Sequence, residues 1–136
     1  MPVCADDRWE MELRVDHATI DNNFIFEITV VNEVISGWVT DDEGNRTELS
    51  GRCSGASSGE QQEVSLMDFR FIARAINGDV EVLMGGIGFQ PRDPAARPVF
   101  RGQFIAVAPR NVLDAAAALR VGIDEGDVGT GSGTQT

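Results

Sequence analysis

Alternation of apolar and polar residues is the feature that most constrains how this chain can fold. In residues 9–15, apolar side chains occupy every second position, and charged residues lie between them. Because successive side chains of a β-strand point to opposite faces of the sheet, this spacing predicts a strand with one buried face. We expect six or seven antiparallel strands in all, and the further predicted runs are 24–31, 34–40, 47–53, 64–76, 79–89 and 99–108.

The dipeptide Asn77-Gly78 lies between two long runs and predicts a tight hairpin turn, because both residues tolerate a positive φ. The runs 64–76 and 79–89 should therefore pair with each other. Gly85, Gly86 and Gly88 interrupt the second run and indicate a sharp bend, a bulge or the close approach of another group. The Ser- and Gly-rich residues 54–62 are predicted to form a loop.

Hairpin-connected strands at short spacing favour an all-β fold, a small antiparallel meander barrel of about 6–8 strands. The strand layout resembles that of small calycin-type barrels, which include the lipocalins. This resemblance is one of layout, and it implies a closed barrel around a central lumen. A β-sandwich is the alternative architecture.

The end of the chain differs in composition from the strands. Asn111 can cap a helix, four consecutive alanines follow, and Gly122 can stop it, so we expect one helix at about 111–120. Residues 124–136 are rich in Gly, Ser and Thr, which is typical of a flexible linker. We therefore predict a single barrel domain at 1–123 and a flexible tail at 124–136.

The charge balance excludes several classes of partner. With 11 Lys+Arg and 22 Asp+Glu among 136 residues, the net charge is −11. Such a chain repels phosphate backbones and anionic membranes, so we expect neither nucleic acid nor membrane as a partner. No basic segment followed by an apolar one opens the chain, which predicts a cytoplasmic protein. In that compartment Cys4 and Cys53 are expected to be free thiols and not a disulfide.

No motif assigns a catalytic residue, a metal or a cofactor. Gly51-Arg52-Cys53-Ser54-Gly55 has the spacing of a nucleophile elbow, but a loop follows it where the motif needs a helix. His17 is the only histidine, which excludes metal sites built from several histidines. The acidic runs 41–44 and 124–127 lack the alternating ligands of a calcium loop and are predicted to be solvated turns.

Polar residues within apolar strands are the candidate ligand-binding residues. If their face of the sheet pointed into the lumen, they would line a partly dry cavity suited to a small molecule. If it pointed outward, most of them would be solvated cross-strand partners, and this is the favoured placement because the Phe- and Met-rich opposite face is the stronger core. The candidates are Glu27, Trp38, Asp68, Arg70, Arg101 and Gln103.

Three functions are compatible with this pattern. The first is a barrel that binds an apolar or amphipathic small molecule in its interior. The second is a cofactor-free barrel enzyme of the cyclase or isomerase type in a biosynthetic pathway. The third is an assembly subunit that works through protein–protein contacts, including a homo-oligomer. An enclosed pocket above roughly 300 Å³ would favour the first two, whereas a filled barrel with a flat apolar patch would favour the third.

Overall fold

The structure, a computed structural model, describes residues 3–15, 21–58, 62–75, 78–109 and 121–136. Eight strands form one closed barrel in which each strand pairs with the next and β8 pairs with β1. All the pairings are antiparallel, which confirms the predicted small meander barrel. The strands are β1 (Asp7–Val15), β2 (Asp21–Val31), β3 (Val34–Thr40), β4 (Arg46–Ser58), β5 (Gln62–Ala75), β6 (Gly78–Phe89), β7 (Val99–Val107) and β8 (Val128–Gln135).

The period-two patterns place the apolar faces in the lumen. Along β1 the alternating residues from Trp9 to Val15 are buried, and the residues between them are exposed or half-buried. The predicted pairing of the two long runs is confirmed, because β5 and β6 pair from Val64 opposite Phe89 to Ala75 opposite Gly78. The predicted position of the turn is wrong, because Gly78 belongs to β6 and pairs with Ala75. The predicted loop at 54–62 is largely wrong, since β4 continues to Ser58 and β5 begins at Gln62.

Glycines let neighbouring strands approach closely on the inside of the barrel. Gly86 of β6 lies opposite Gly102 of β7. A Cβ at Gly86 would overlap the carbonyl oxygen of Arg101, and one at Gly102 would overlap that of Gly85. The close approach expected from the glycines of the 79–89 run is therefore present. Such kinks allow a sheet to curl tightly enough to close.

The predicted flexible tail is wrong for residues 128–135, which form β8 and close the barrel. The inward positions of β8 carry Gly129, Gly131 and Gly133 because side chains of other strands already fill the space beneath them. A Cβ at Gly131, for example, would lie 2.6 Å from the sulfur of Met84. Backbone hydrogen bonds to β1 and β7 hold this strand in place, although it has no inward-facing apolar side chain. The predicted helix at 111–120 lies outside the described residues.

Short segments close both ends of the barrel. At one end Val3 is fully buried, and a Cβ at Gly88 would lie 2.6 Å from its side chain. A disulfide joins Cys4 beside it to Cys53 of β4, so the prediction of free thiols is wrong. At the other end Val121 and Ile123 are buried, and the amide of Val121 donates to the carbonyl oxygen of Arg74 at 3.2 Å.

Candidate functional site

Aromatic side chains occupy the lumen, where a ligand of the interior would have to lie. The ring of Phe69 contacts Phe26 across the barrel at a centroid distance of 5.2 Å and Phe100 at 5.5 Å. Phe71 contacts Phe26 at 5.6 Å. All four rings are buried and meet edge to face, which is a favourable arrangement for aromatic pairs. The predicted core of Phe69, Phe71, Phe100 and Phe104 is confirmed as lumen-facing.

All six candidate ligand-binding residues lie on the outer wall of the barrel and are exposed. This confirms the favoured placement of the mixed strand faces, and it removes these residues from any interior cavity. They fall into two sets. Glu27 and Trp38 lie together on β2 and β3, and the other four lie on β5 and β7, namely Asp68, Arg70, Arg101 and Gln103.

The first set forms a hollow of about 830 Å³ that we name the Trp38 groove. Trp38 lies directly opposite Glu27 of β2 on one side and Glu48 of β4 on the other. The guanidinium carbon of Arg46 lies 4.5 Å from the centroid of the Trp38 ring, which is a cation–π contact. The remaining lining residues are Asp7, Arg8, Ile28, Thr29, Ser36, Gly37, Leu49 and Ser50.

The second set lies on a region that we name the β5–β7 face. It consists of outward residues in three cross-strand rows, Leu66–Ile87–Arg101, Asp68–Gly85–Gln103 and Arg70–Leu83–Ile105. Leu66 is 66% exposed, and Ile87 directly opposite it is 44% exposed. Gly85 at the centre carries no side chain, so the middle of the face is flat.

Sequence reasoning missed the importance of Leu66 and Ile87, and a usable signal was present. The predicted pairing of the two long runs places both residues on the same side of the sheet as Asp68 and Arg70, and the structure shows that they lie directly opposite each other. Two large apolar residues that are paired on a solvated face are unusual, because that face is normally polar.

Polar contacts order the charges of the β5–β7 face. The Asp68 carboxylate accepts a hydrogen bond from the backbone amide of Arg52 at 3.1 Å. Arg70 lies 3.6 Å from the carboxylate of Glu81, which is buried despite its charge. The guanidinium of Arg101 donates to the carbonyl oxygen of Phe100 at 2.9 Å. Asp68 and Arg70 are therefore held close to the wall of the barrel by neighbouring strands.

A second hollow, of about 460 Å³, lies over β1 and β2 and is mainly acidic. Glu10, Glu12, Asp41 and Asp42 line it, and Arg101 reaches it from β7. Among the described residues, no three His, Cys, Asp or Glu side chains form a group that could hold a metal ion. No described helix has the length and apolar composition needed to cross a bilayer.

Comparison with known proteins gives no relative from which a function could be inferred, so the site is interpreted from its own geometry. The chain matches no protein-family model, no curated protein and no solved structure.

Proposed function

We propose that this protein is an assembly module whose β5–β7 face packs against the same face of a second copy. The single observation that carries this proposal is the exposed pair Leu66 and Ile87 beside the bare Gly85. Large apolar side chains grouped on the outer wall of a barrel are typical of a protein–protein contact. A flat centre allows two sheets to pack face to face.

The filled lumen supports the assembly function over the two functions that need an interior cavity. The ring of Phe69 contacts the rings of Phe26 and Phe100 across the middle of the barrel. A ligand there would have to displace side chains packed at the density of a protein core, at a cost of several kcal/mol. An outer surface is available for binding without that cost.

Charge supports a second copy as the partner. The chain as a whole has twice as many acidic as basic residues, 22 against 11. On the β5–β7 face the balance is reversed, because Arg70 and Arg101 accompany a single acid, Asp68. When two copies meet through this face, the excess negative charge of each copy lies away from the contact, so the repulsion between them is reduced. In a two-fold arrangement each residue of one copy faces the partner's surface reciprocally, so that Asp68 can meet an arginine of the partner.

The test is sedimentation equilibrium of the full chain and of the variant Gly85→Lys. A Cβ at Gly85 would have the carbonyl oxygen of Met67 at 3.9 Å as its nearest neighbour, so the substitution leaves the fold intact. We expect the unaltered chain to form dimers at concentrations up to about 1 mM and the variant to remain monomeric. The matched control is Asn23→Lys, which adds the same charge on the exposed face of β2 and should still dimerise.

The dependence of dimerisation on salt concentration distinguishes an apolar contact from a contact between opposite charges. Screening weakens the repulsion between two chains of net charge −11, so dimerisation through an apolar face should strengthen with added NaCl. A head-to-tail contact between the arginines and the acidic hollow would weaken instead. A chain that stays monomeric at all concentrations and salt levels would overturn the proposal, as would dimers that survive Gly85→Lys.

A further inference from the structure

Trp38 is the exposed member of the two tryptophans, and its ring already attracts a cation. Trp9 is fully buried in the lumen, whereas Trp38 is 41% exposed on the outer wall. The face of an indole ring carries negative electrostatic potential and attracts ammonium and guanidinium groups within about 6 Å of its centroid. Arg46 makes this contact within the chain, at 4.5 Å. A guanidinium group of the protein itself therefore already occupies the position over the ring that a cationic ligand would take.

Two carboxylates flank this ring in register. Glu27 and Glu48 are the direct cross-strand partners of Trp38, on β2 and β4 respectively, and both are exposed. Directly opposed residues of an antiparallel pair have Cβ atoms about 4.5–5.5 Å apart, so the two side chains border the indole on both sides. A cation over the ring would meet an aromatic face and two carboxylates, of which Glu27 also lies directly opposite Arg8 of β1.

The rest of the groove can hold the body of a small organic molecule. Its volume of about 830 Å³ falls within the usual range of small-molecule sites. Beside Trp38, the hydroxyls of Ser36 and Ser50 line the wall of the groove, and Gly37 also borders it. A Cβ at Gly37 would overlap the carbonyl oxygen of Glu27, so β2 and β3 approach closely beneath the groove.

We propose that the Trp38 groove binds an organic cation, meaning an ammonium or guanidinium group carried on an apolar body. The cation lies over the indole between Glu27 and Glu48 and replaces the guanidinium of Arg46. The apolar body lies in the hollow. The net charge of −11 raises the local concentration of such molecules and speeds their arrival. This site uses β2, β3 and β4, so it does not depend on assembly through the β5–β7 face.

The test is titration of the protein with benzyltrimethylammonium chloride, followed by tryptophan fluorescence and by calorimetry. We expect saturable quenching, because Trp38 is exposed while Trp9 is buried. The double variant Glu27→Gln with Glu48→Gln should bind at least about tenfold more weakly, since hydrogen-bonded or closely paired charges contribute about 1.4 kcal/mol or more. The matched control, Glu43→Gln with Glu125→Gln, removes the same number of charges from exposed turns and should bind normally.

The variant Arg46→Gln distinguishes binding over the Trp38 ring from a general attraction of cations to an acidic surface. Removal of the internal cation frees the ring of Trp38, so the probe should bind several-fold more tightly although the protein has become more negative by one charge. The same change made at an exposed distant site, Arg92→Gln, adds the same negative charge and should leave the affinity nearly unchanged. All variants are compared after circular dichroism shows the same fold.

Three results would overturn the proposal. The first is the absence of saturable binding of the probe up to about 10 mM, which corresponds to less than about 3 kcal/mol of binding free energy. The second is an equal loss of affinity in the control pair, which would make the attraction nonspecific. The third is binding of the neutral sugar maltohexaose with no binding of the cation, which would assign the groove to saccharides. Repeating the titration with the Gly85→Lys variant tests cation binding in a protein that cannot assemble through the β5–β7 face. The result for the groove is then independent of the result for assembly.

Discussion

Phe69 lies on the inward face of β5, where its ring contacts those of Phe26 and Phe100 edge to face. The same strand presents Asp68 and Arg70 on the opposite face, in solvent. Adjacent residues thus divide between core and surface because the side chains of a strand alternate. Residue types alone favoured this assignment of the two faces, since the Phe- and Met-rich face is the stronger core.

At this scale we predict that Phe69→Ala lowers the free energy of unfolding by about 3–5 kcal/mol, because it removes an aromatic ring and leaves a cavity at the centre of the lumen. Urea unfolding followed by circular dichroism measures the loss. The control Val34→Ala truncates an apolar side chain that is 53% exposed and should change the stability by no more than about 0.5 kcal/mol. A loss below about 1 kcal/mol for Phe69→Ala would contradict the packing described here.

At the scale of the strands, Gly85 and Gly86 are neighbours in β6 with opposite surroundings. The inward Cβ position of Gly86 is occupied by backbone atoms of β7, whereas the outward position of Gly85 is open. We predict that Gly86→Ala destabilises the protein by more than about 1 kcal/mol, and that Gly85→Ala is neutral or stabilises it by about 0.4–1 kcal/mol. Thermal unfolding of the two variants at low concentration measures both effects. Equal effects would show that the strand does not have this orientation.

The eighth strand shows why an element can escape sequence analysis. Periodicity reveals strands through apolar side chains, and β8 has glycine at inward positions 129, 131 and 133. Its alternating Gly with Thr or Ser was the available signal, but the same composition is typical of a linker. The side chains that fill the space belong to other strands, among them Leu13 and Met84, so only the closed barrel distinguishes β8 from a tail.

At the scale of the whole molecule, the disulfide ties the chain before β1 to the inward face of β4 and holds Val3 in one end of the barrel. The bond spans 49 residues of sequence. We predict that replacing Cys4 and Cys53 by alanine lowers the free energy of unfolding by about 2–4 kcal/mol, mainly because the unfolded chain gains freedom.

Chemical denaturation with and without a thiol reductant measures the same quantity. The double alanine variant, which has no bond to reduce, should be insensitive to the reductant and serves as the control. Equal stability of the oxidised and reduced proteins would contradict the prediction. The cytoplasmic location expected from the sequence stays a prediction, and there a reducing environment would leave the barrel in its less stable form.

Local pattern determined most of the architecture. The alternation of β1, the hairpin signal of Asn77-Gly78 and the Phe-rich inward faces were sufficient to predict an antiparallel meander barrel and its core, because strand period and turn propensity act over a few residues. Tertiary structure alone decided the remaining features. Closure through β8, the pairing of Cys4 with Cys53 and the meeting of Glu27, Trp38 and Glu48 depend on register between strands. Register is a property of the whole barrel, since each strand is positioned by both of its neighbours.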